Sequence, residues 1–220
     1  LRSTINPYKA SASDENAFNA LQPYESEETT HFSVVDADGN TVSLTYTLEF
    51  GYGNSIVVEG AGFLLNNEMG DFNPMPGVTD RDGHIGTKPN LVEPGKRMIS
   101  SMTPTIVAKD GRPVMAIGSP GGRTIINTSL QVVLNVIDHN MNIARAIEAP
   151  RIHHQWLPDR TAFERGYISA DTQRMYEMLG HTVYFRTGQG SAMGIWIDWE
   201  TGIKYGSADS RSYNGRASGY

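Results

Sequence analysis

Three pairs of short strand-like segments, each joined by a turn that contains glycine, limit the folds open to this chain more than any other feature. Within each pair, apolar and polar side chains alternate along at least one of the two segments. Alternation with a period of two beside an Asp/Gly turn predicts a β-hairpin. The strands are predicted at residues 31–35 with 42–48, 105–108 with 114–118, and 194–199 with 203–205.

Three helices are predicted between the second and third strand pairs. The first, over residues from about 123 to 138, places six apolar side chains on one face: Ile125, Ile126, Leu130, Val133, Leu134 and Ile137. Asn142 is suited to cap a second helix over residues 143–148. A third helix is predicted over residues 170–179, followed by a strand at 181–185. Such an order is typical of layered antiparallel sheet with helices packed on it.

Composition narrows the class of protein. Of the 220 residues, 39% are hydrophobic and 19% are charged, which is typical of a globular protein of one or two domains. The net charge of −6 disfavours nucleic acid as a partner. No apolar run approaches the roughly 18 residues of a membrane span. The absence of cysteine excludes disulfides and thiol nucleophiles.

Two motifs that could suggest a metal site are better explained otherwise. A calcium loop beginning at Asp36 would need glycine at its sixth position and glutamate at its twelfth, where the chain has Thr41 and Thr47. His153 and His154 are adjacent, so on a strand they would point to opposite faces. We therefore expect no metal ion.

The polar segment 1–28 ends where the first strand begins. It carries five acidic and two basic side chains, and we expect it to be the tail of a longer polypeptide. A threonine at the start of a strand, such as Thr29, is ordinarily only a β-former. If the Glu28–Thr29 bond were cut, however, its hydroxyl could act as nucleophile and its α-amine, with a pKa of about 7.7–8.0, as base.

A glycine-rich loop, Gly118-Ser119-Pro120-Gly121-Gly122-Arg123, joins a predicted strand to the start of a predicted helix. A tight turn needs glycine for purely conformational reasons. Backbone N–H groups at a helix start also favour negative charge, so an anion or oxyanion site is an equally good interpretation of the loop.

Taken together, these segments resemble the small subunit of gamma-glutamyltranspeptidase. The similarity covers residues 29–220, while residues 1–28 resemble the end of the large subunit. The motifs that carry it are Thr29-Thr30-His31-Phe32-Ser33-Val34-Val35-Asp36, Asn66-Asn67-Glu68-Met69 with Asp71-Phe72, Pro94-Gly95-Lys96-Arg97, Ser100-Ser101-Met102-Thr103-Pro104-Thr105, Gly118-Ser119-Pro120-Gly121-Gly122, and Ala149-Pro150-Arg151 with His153-His154-Gln155-Trp156.

The resemblance implies an α+β fold: the four-layer αββα sandwich of N-terminal-nucleophile hydrolases, with antiparallel sheets. It implies a precursor that cleaves itself between Glu28 and Thr29, so that residues 29–220 form the small catalytic subunit and pair with the large one as a heterodimer. The implied reaction transfers the γ-glutamyl group of glutathione or a related amide to water, amino acids or peptides, without a cofactor. Family habit implies a periplasmic or secreted location.

The resemblance also implies roles for individual residues. Thr29 is the nucleophile, Thr47 supports its hydroxyl, and the amides of Gly121 and Gly122 form the oxyanion hole. The donor's α-amino group is bound by Glu49, Glu68 and Asp71, and its α-carboxylate by Ser100 and Ser101.

Residues 76–87 correspond to the lid loop of the family but lack the tyrosine that many members carry there. An acylase of the same fold acting on glutaryl or cephalosporin-type side chains is the nearest alternative. Its donor has no α-amino group, so three carboxylates at those positions favour the transpeptidase. A non-catalytic homologue is the other alternative, and the joint presence of Thr29, Thr47, Gly121 and Gly122 argues against it.

Overall fold

The computed structural model describes residues 5–13, 28–73, 76–77 and 88–219. The chain packs as two compact units. Unit 1 comprises Leu1–Tyr24, Asp71–Ile99 and Pro150–Gly188, and unit 2 comprises Glu25–Gly70, Ser100–Ala149 and Gln189–Tyr220. This division follows packing and does not test the subunit boundary at Glu28–Thr29, which stays a prediction. Most of the expected lid segment, residues 78–87, lies outside the described residues.

The described residues contain nine strands and three α-helices. The strands are β1 (Thr29–Val35), β2 (Thr41–Thr47), β3 (Thr105–Lys109), β4 (Arg112–Gly118), β5 (Ile152–His153), β6 (Thr161–Glu164), β7 (Val183–Arg186), β8 (Met193–Ile197) and β9 (Lys204–Ala208). The helices are α1 (Thr124–Ile137), α2 (Ile143–Glu148) and α3 (Ala170–Met178). Two 3-10 helices lie at Glu68–Asp71 and Lys88–Asn90. Among the described residues, no helix is long and apolar enough to cross a membrane.

The three predicted hairpins and three predicted helices are confirmed. β1 pairs with β2, β3 with β4, and β8 with β9, all antiparallel. The Asn142 side chain accepts a hydrogen bond from the backbone N–H of Arg145 at 2.9 Å, which satisfies one of the otherwise unpaired N–H groups of the first turn of α2.

Unit 2 is built in three layers. Its central sheet has the order β3-β4-β8-β9. Met115 and Ile117 of β4 pack with Val132, Ile143 and Ile147 of the helices in one buried apolar cluster. Successive strand residues point to opposite faces, and Gly118 contacts the β1–β2 hairpin. The helices and the hairpin therefore cover opposite faces of the central sheet.

The predicted apolar face of α1 is only partly buried, which corrects the expectation from sequence. The side chains of Ile126, Leu130, Leu134 and Ile137 are exposed, by 38% to 51%. The buried positions form the neighbouring stripe: Ile125, Thr128, Ser129, Val132 and Val136, together with Thr124. The helix is apolar over more than one stripe, and the central sheet covers one of them.

Unit 1 contains the second difference from expectation. Its sheet has the order β5-β6-β7, and β6 pairs with β7 in parallel. The sheets were all expected to be antiparallel. Helix α3 connects β6 to β7, and a helical crossover is the usual connection between parallel strands. β6 is four residues long and buried throughout, so it shows no alternation from which it could have been predicted.

Candidate active site

The β1–β2 hairpin presents a polar face to the central sheet and an apolar face away from it. The inward cross-strand pairs are Thr29–Thr47, His31–Thr45 and Ser33–Ser43. The outward side chains of Phe32, Val34, Val42, Leu44 and Tyr46 are exposed. A hairpin covering a sheet normally buries its apolar side. Here a row of hydroxyl groups and one imidazole occupies the interface.

Thr47 lies directly at the peptide bond that precedes Thr29. It is the cross-strand partner of Thr29. Its hydroxyl donates a hydrogen bond to the carbonyl oxygen of Glu28 at 3.1 Å and accepts one from the backbone N–H of Glu49 at 2.9 Å. The accepted bond orients the hydroxyl so that its proton points at the carbonyl. Donation of this kind withdraws electron density from the carbonyl carbon and favours attack on it.

His31 occupies the next inward position along β1 and is 2% exposed. Its Nδ1 lies 2.9 Å from the hydroxyl of Thr45, and its Nε2 lies 3.0 Å from the hydroxyl of Ser33. Burial lowers the pKa of His31 from 6.5 to about 4, because desolvation disfavours the charged ring. The imidazole is therefore neutral at neutral pH.

This shift predicts a pH dependence of stability. The pKa of His31 is lower in the folded state, so the unfolded state takes up the proton first as the pH falls. The free energy of unfolding that depends on neutral His31 is fully present above pH 6.5 and declines as the pH falls to about 4. Urea unfolding at pH 7.5, 6 and 5 measures it. His31→Asn should remove this part of the slope, and an unchanged slope in that variant would contradict the assignment.

Glu49 and Asn67 form a second cluster at the end of β2. The Asn67 side chain donates to Glu49 Oε2 at 2.9 Å and accepts from the backbone N–H of Phe50 at 3.1 Å. A Cβ added to Gly70 would lie 2.0 Å from Glu49 Oε1, so the carboxylate packs directly on that glycine. Glu49 itself has a φ of +73°, a costly conformation for a residue with a side chain.

Glu68, which begins a 3-10 helix, is buried within the same segment. Its backbone N–H donates to the Asn66 side chain at 3.2 Å. Residues on both sides of Glu68, namely Asn67 and Gly70, hold the carboxylate of Glu49. Glu68 therefore belongs to the short segment that contacts the Glu49 carboxylate, and its binding role stays a prediction.

The remaining predicted binding residues are Asp71, Ser100 and Ser101. Asp71 ends the 3-10 helix and is grouped with unit 1, where its carbonyl oxygen accepts a hydrogen bond from the Asn90 side chain at 2.7 Å. Ser100 and Ser101 lie in the extended segment before β3, and their hydrogen bonds are local ones to Met102 and Thr103. The binding roles of these three residues stay predictions.

The glycine loop leads from β4 into α1. Gly121 has a φ of +132° and Gly122 a φ of +54°, which favour glycine at both positions. The carbonyl oxygen of Gly121 accepts from the backbone N–H and the side chain of Thr124, at 3.0 Å and 2.7 Å. The carbonyl oxygen of Gly122 accepts from the backbone N–H of Ile125 at 3.1 Å, so both glycine carbonyls are bonded to the first turn of the helix. The loop thus lies at a helix N-terminus, where backbone N–H groups favour negative charge. The oxyanion role of Gly121 and Gly122 stays a prediction.

Gly190 supports this loop from behind. A Cβ added to Gly121 would lie 2.9 Å from the Cα of Gly190, and one added to Gly190 would lie 2.7 Å from the hydroxyl of Ser119. The same hydroxyl accepts a hydrogen bond from the backbone N–H of Ser191 at 2.8 Å. Bare backbone at Gly190 therefore allows the loop to pack against residues 189–191.

The motifs in the sequence include His31, Asn67 and Gly70 but indicate no role for any of them, and no motif includes Gly190. A glycine outside a turn between strands is the only sequence indication of a close approach, and it does not identify the partner. Within the part of the chain that the structure describes, no three His, Asp or Glu side chains are grouped closely enough to hold a metal ion.

Sequence and structure comparisons with known proteins indicate the same family. The sequence profile of the gamma-glutamyltranspeptidase family matches residues 1–219. The glutathione hydrolase proenzyme of Escherichia coli (strain K12) is 48% identical over 216 residues, which cover 98% of this chain and 37% of that protein. The chain thus spans little more than a third of the length of this curated relative.

Two solved structures illustrate the range of similarity. A variant of Helicobacter pylori gamma-glutamyltranspeptidase matches with a TM-score of 0.77 and 45% identity, covering 83% of this chain and 100% of that one. A cephalosporin acylase from Bacillus halodurans matches with a TM-score of 0.69 and 25% identity, covering 86% of this chain and 34% of that one. The expected α+β fold of N-terminal-nucleophile hydrolases is confirmed.

Proposed function

Because this chain belongs to the gamma-glutamyltranspeptidase family, we propose that it cleaves itself before Thr29 and then transfers γ-glutamyl groups through the hydroxyl of Thr29. The observation that carries this proposal is the hydrogen bond from the Thr47 hydroxyl to the carbonyl of Glu28. It joins the predicted supporting residue to the bond that must break.

Self-cleavage begins when the Thr29 hydroxyl oxygen attacks the Glu28 carbonyl carbon. The C–N bond then breaks, the nitrogen takes up a proton, and Glu28 is left as an ester on the hydroxyl. Water hydrolyses the ester, which frees the Glu28 carboxylate and the Thr29 hydroxyl. Negative charge develops on the carbonyl oxygen that Thr47 already contacts, so its hydrogen bond strengthens during the reaction.

The freed amine of Thr29 then serves as general base for its own hydroxyl. The hydroxyl attacks the γ-amide carbonyl of glutathione or a related donor, and the departing amine takes the proton. The N–H groups of Gly121 and Gly122 stabilise the developing oxyanion. Water, an amino acid or a peptide amine attacks the resulting ester and releases the enzyme, and no cofactor takes part.

Different side chains bind the α-amino group and the α-carboxylate of the donor. Glu49 and Glu68 supply carboxylates for the α-ammonium group of the donor, and charge-assisted hydrogen bonds of this kind are strong. A binding role for Asp71 rests on the family resemblance alone. The hydroxyls of Ser100 and Ser101 bind the donor's α-carboxylate. Asn67 holds one oxygen of Glu49 at 2.9 Å, which fixes the direction of that carboxylate before substrate arrives.

The first test is the intact mass and N-terminal sequence of the purified precursor. A fragment beginning at Thr29 is expected, and a single uncut chain would contradict self-cleavage. Cleavage of γ-glutamyl-p-nitroanilide is then compared with that of glutaryl-p-nitroanilide, which lacks only the α-amino group. A preference for the glutaryl compound would favour the acylase alternative. Complete processing without turnover of either would favour a non-catalytic homologue.

The upstream part of the same precursor is the proposed partner. Two apolar surfaces of unit 2 support it: the outward face of β1–β2 and the uncovered stripe of α1. Exposed apolar areas of this kind are typical of interfaces, and the chain covers only 37% of its Escherichia coli relative. A periplasmic or secreted location rests on family resemblance alone and stays a prediction.

Gly190→Ala is expected to lower kcat of the processed enzyme by about tenfold or more, because the methyl group would displace the loop that carries Gly121. Gly111→Ala is the matched control. Gly111 also has a positive φ, +77° against +62°, but an added Cβ there meets nothing within 4 Å. Both variants carry similar backbone strain, so their difference in kcat measures crowding of the loop. Equal kcat values would contradict a supporting role.

A further inference from the structure

The His31 side chain on β1, the nucleophile strand, lies against β4, the strand that leads to the glycine loop. A Cβ added to Gly118 would lie 2.4 Å from both Cε1 and Nδ1 of the His31 ring. No heavy atom fits at that distance, so only glycine allows the ring to lie against β4. Gly118 is not among the glycines with positive φ, and the requirement is therefore one of space rather than of backbone conformation.

The ring also joins the two strands of the hairpin. One nitrogen lies 2.9 Å from the hydroxyl of Thr45 on β2, and the other lies 3.0 Å from the hydroxyl of Ser33 on β1. A hydroxyl can donate or accept, so either neutral tautomer satisfies both partners. With both nitrogens occupied and the ring buried, His31 is not available as a proton acceptor for Thr29.

The His31 ring lies close in the strand register to the proposed nucleophile and close in sequence to the glycine loop. On the inward face, His31 is the neighbour of Thr29 and Thr45 is the neighbour of Thr47. Neighbours on one face of a strand are spaced by about 6.5 Å. Gly118 lies three residues before Gly121. One side chain thus touches the strand of the nucleophile, the strand of its support, and the start of the oxyanion loop.

We infer that His31 is a positioning residue that sets the spacing between the Thr29–Thr47 pair and the Gly121–Gly122 loop, an inference that rests on the proposed function. The contact with Gly118 holds β4 away from the hairpin by the thickness of the ring. The hydrogen bonds to Thr45 and Ser33 keep the ring in one orientation. The attacked carbonyl must lie within reach of the nucleophile and the oxyanion donors together, so a displacement of about 1 Å lowers the rate strongly.

The test is a double-mutant cycle on His31 and Gly118. Gly118→Ala places a methyl group against the ring, and His31→Ala removes the ring that it would meet. Each single variant is expected to lower kcat for γ-glutamyl-p-nitroanilide by about tenfold to a hundredfold, with KM changed less than about threefold. In the His31→Ala background, Gly118→Ala should lower kcat by less than about threefold further, because the effects of substitutions at two residues in contact are not additive.

Further readouts separate positioning from other roles. The acid limb of the kcat–pH profile should be unchanged in the His31 variants, since loss of a titrating base would remove it. Ser33→Ala keeps the ring and removes only the partner of Nε2, so a smaller loss of kcat is expected. If the His31 variants do not fold, Ser33→Ala tests the positioning role in their place. A kcat of Ser33→Ala equal to that of the wild type would then overturn the inference.

All kinetic comparisons use processed protein whose N-terminal residue is Thr29. If the wild-type precursor is uncut or inactive, the proposed function has failed. If the wild type is active and the effects of His31→Ala and Gly118→Ala on kcat are additive, the function stands and the positioning role is wrong. Loss of thermal stability with kcat unchanged would likewise reduce His31 to a structural residue.

Discussion

Thr29→Ala is expected to leave a single uncut chain without measurable γ-glutamyl transfer. The substitution removes the hydroxyl oxygen that is proposed to attack both the Glu28 carbonyl and the γ-amide carbonyl of the donor. Thr29→Ser retains a hydroxyl at the same position, so slower but detectable cleavage and turnover are expected. Electrophoresis and intact mass follow cleavage, and release of p-nitroaniline follows turnover. Removal of the nucleophile of such a site typically lowers kcat by a factor on the order of 10⁶.

Thr30→Ala is the matched control for Thr29→Ala. Thr30 is the next residue of β1, its side chain is exposed, and it points to the opposite face of the strand. The control should cut itself and turn over substrate like the wild type. Complete self-cleavage of Thr29→Ala before residue 29 would mean that another group attacks the Glu28 carbonyl, and the assignment of the nucleophile would be wrong.

Thr47→Val should slow self-cleavage by about 10² to 10³-fold, which is the usual effect of removing one donor to a developing oxyanion. Valine keeps the shape and the β-propensity of threonine, so strand pairing with Thr29 is retained. It lacks the hydroxyl that donates to the Glu28 carbonyl at 3.1 Å. Thr47→Ser keeps the hydroxyl and should cleave at a rate close to that of the wild type.

Thr41→Val provides the control at the other end of β2. The Thr41 hydroxyl also donates to a backbone carbonyl, that of Gly39 at 3.1 Å, but it lies at the turn of the hairpin. Time courses of cleavage at 25 °C compare the three variants. Equal rates for Thr47→Val and Thr41→Val would show that the Thr47 hydroxyl does not assist the reaction at the Glu28–Thr29 bond.

Local features of the fold were predictable because each depends on neighbours in sequence. The three hairpins follow from alternation and turn glycines, and the start of α2 follows from the Asn142 cap. The parallel pair β6–β7 was not predictable, because β6 is short and wholly buried and gives no periodic pattern. Periodicity also identified α1 but not the stripe of it that is covered, since two adjacent stripes are apolar.

Some features of the candidate site could likewise be predicted from the sequence, and others could not. Roles for Thr29, Thr47 and the glycine loop could be predicted, because their motifs resemble those of a known family. The hydrogen bond from Asn67 to Glu49 could not be predicted from the sequence. It depends on the left-handed backbone of Glu49 at the end of β2 and on the absence of a side chain at Gly70. An amide in a polar loop has many possible partners, and the sequence does not choose among them.

The sequence by itself determined the strand pairs, the helices, the family and the candidate nucleophile, because turn chemistry, periodicity and motifs are local properties of the chain. Only the tertiary structure decided that the hairpin turns its hydroxyl face inward and that His31 lies against Gly118. It alone also placed Gly190 behind Gly121. These contacts join segments far apart in the chain, and close packing in three dimensions selects them without leaving a periodic trace in the sequence.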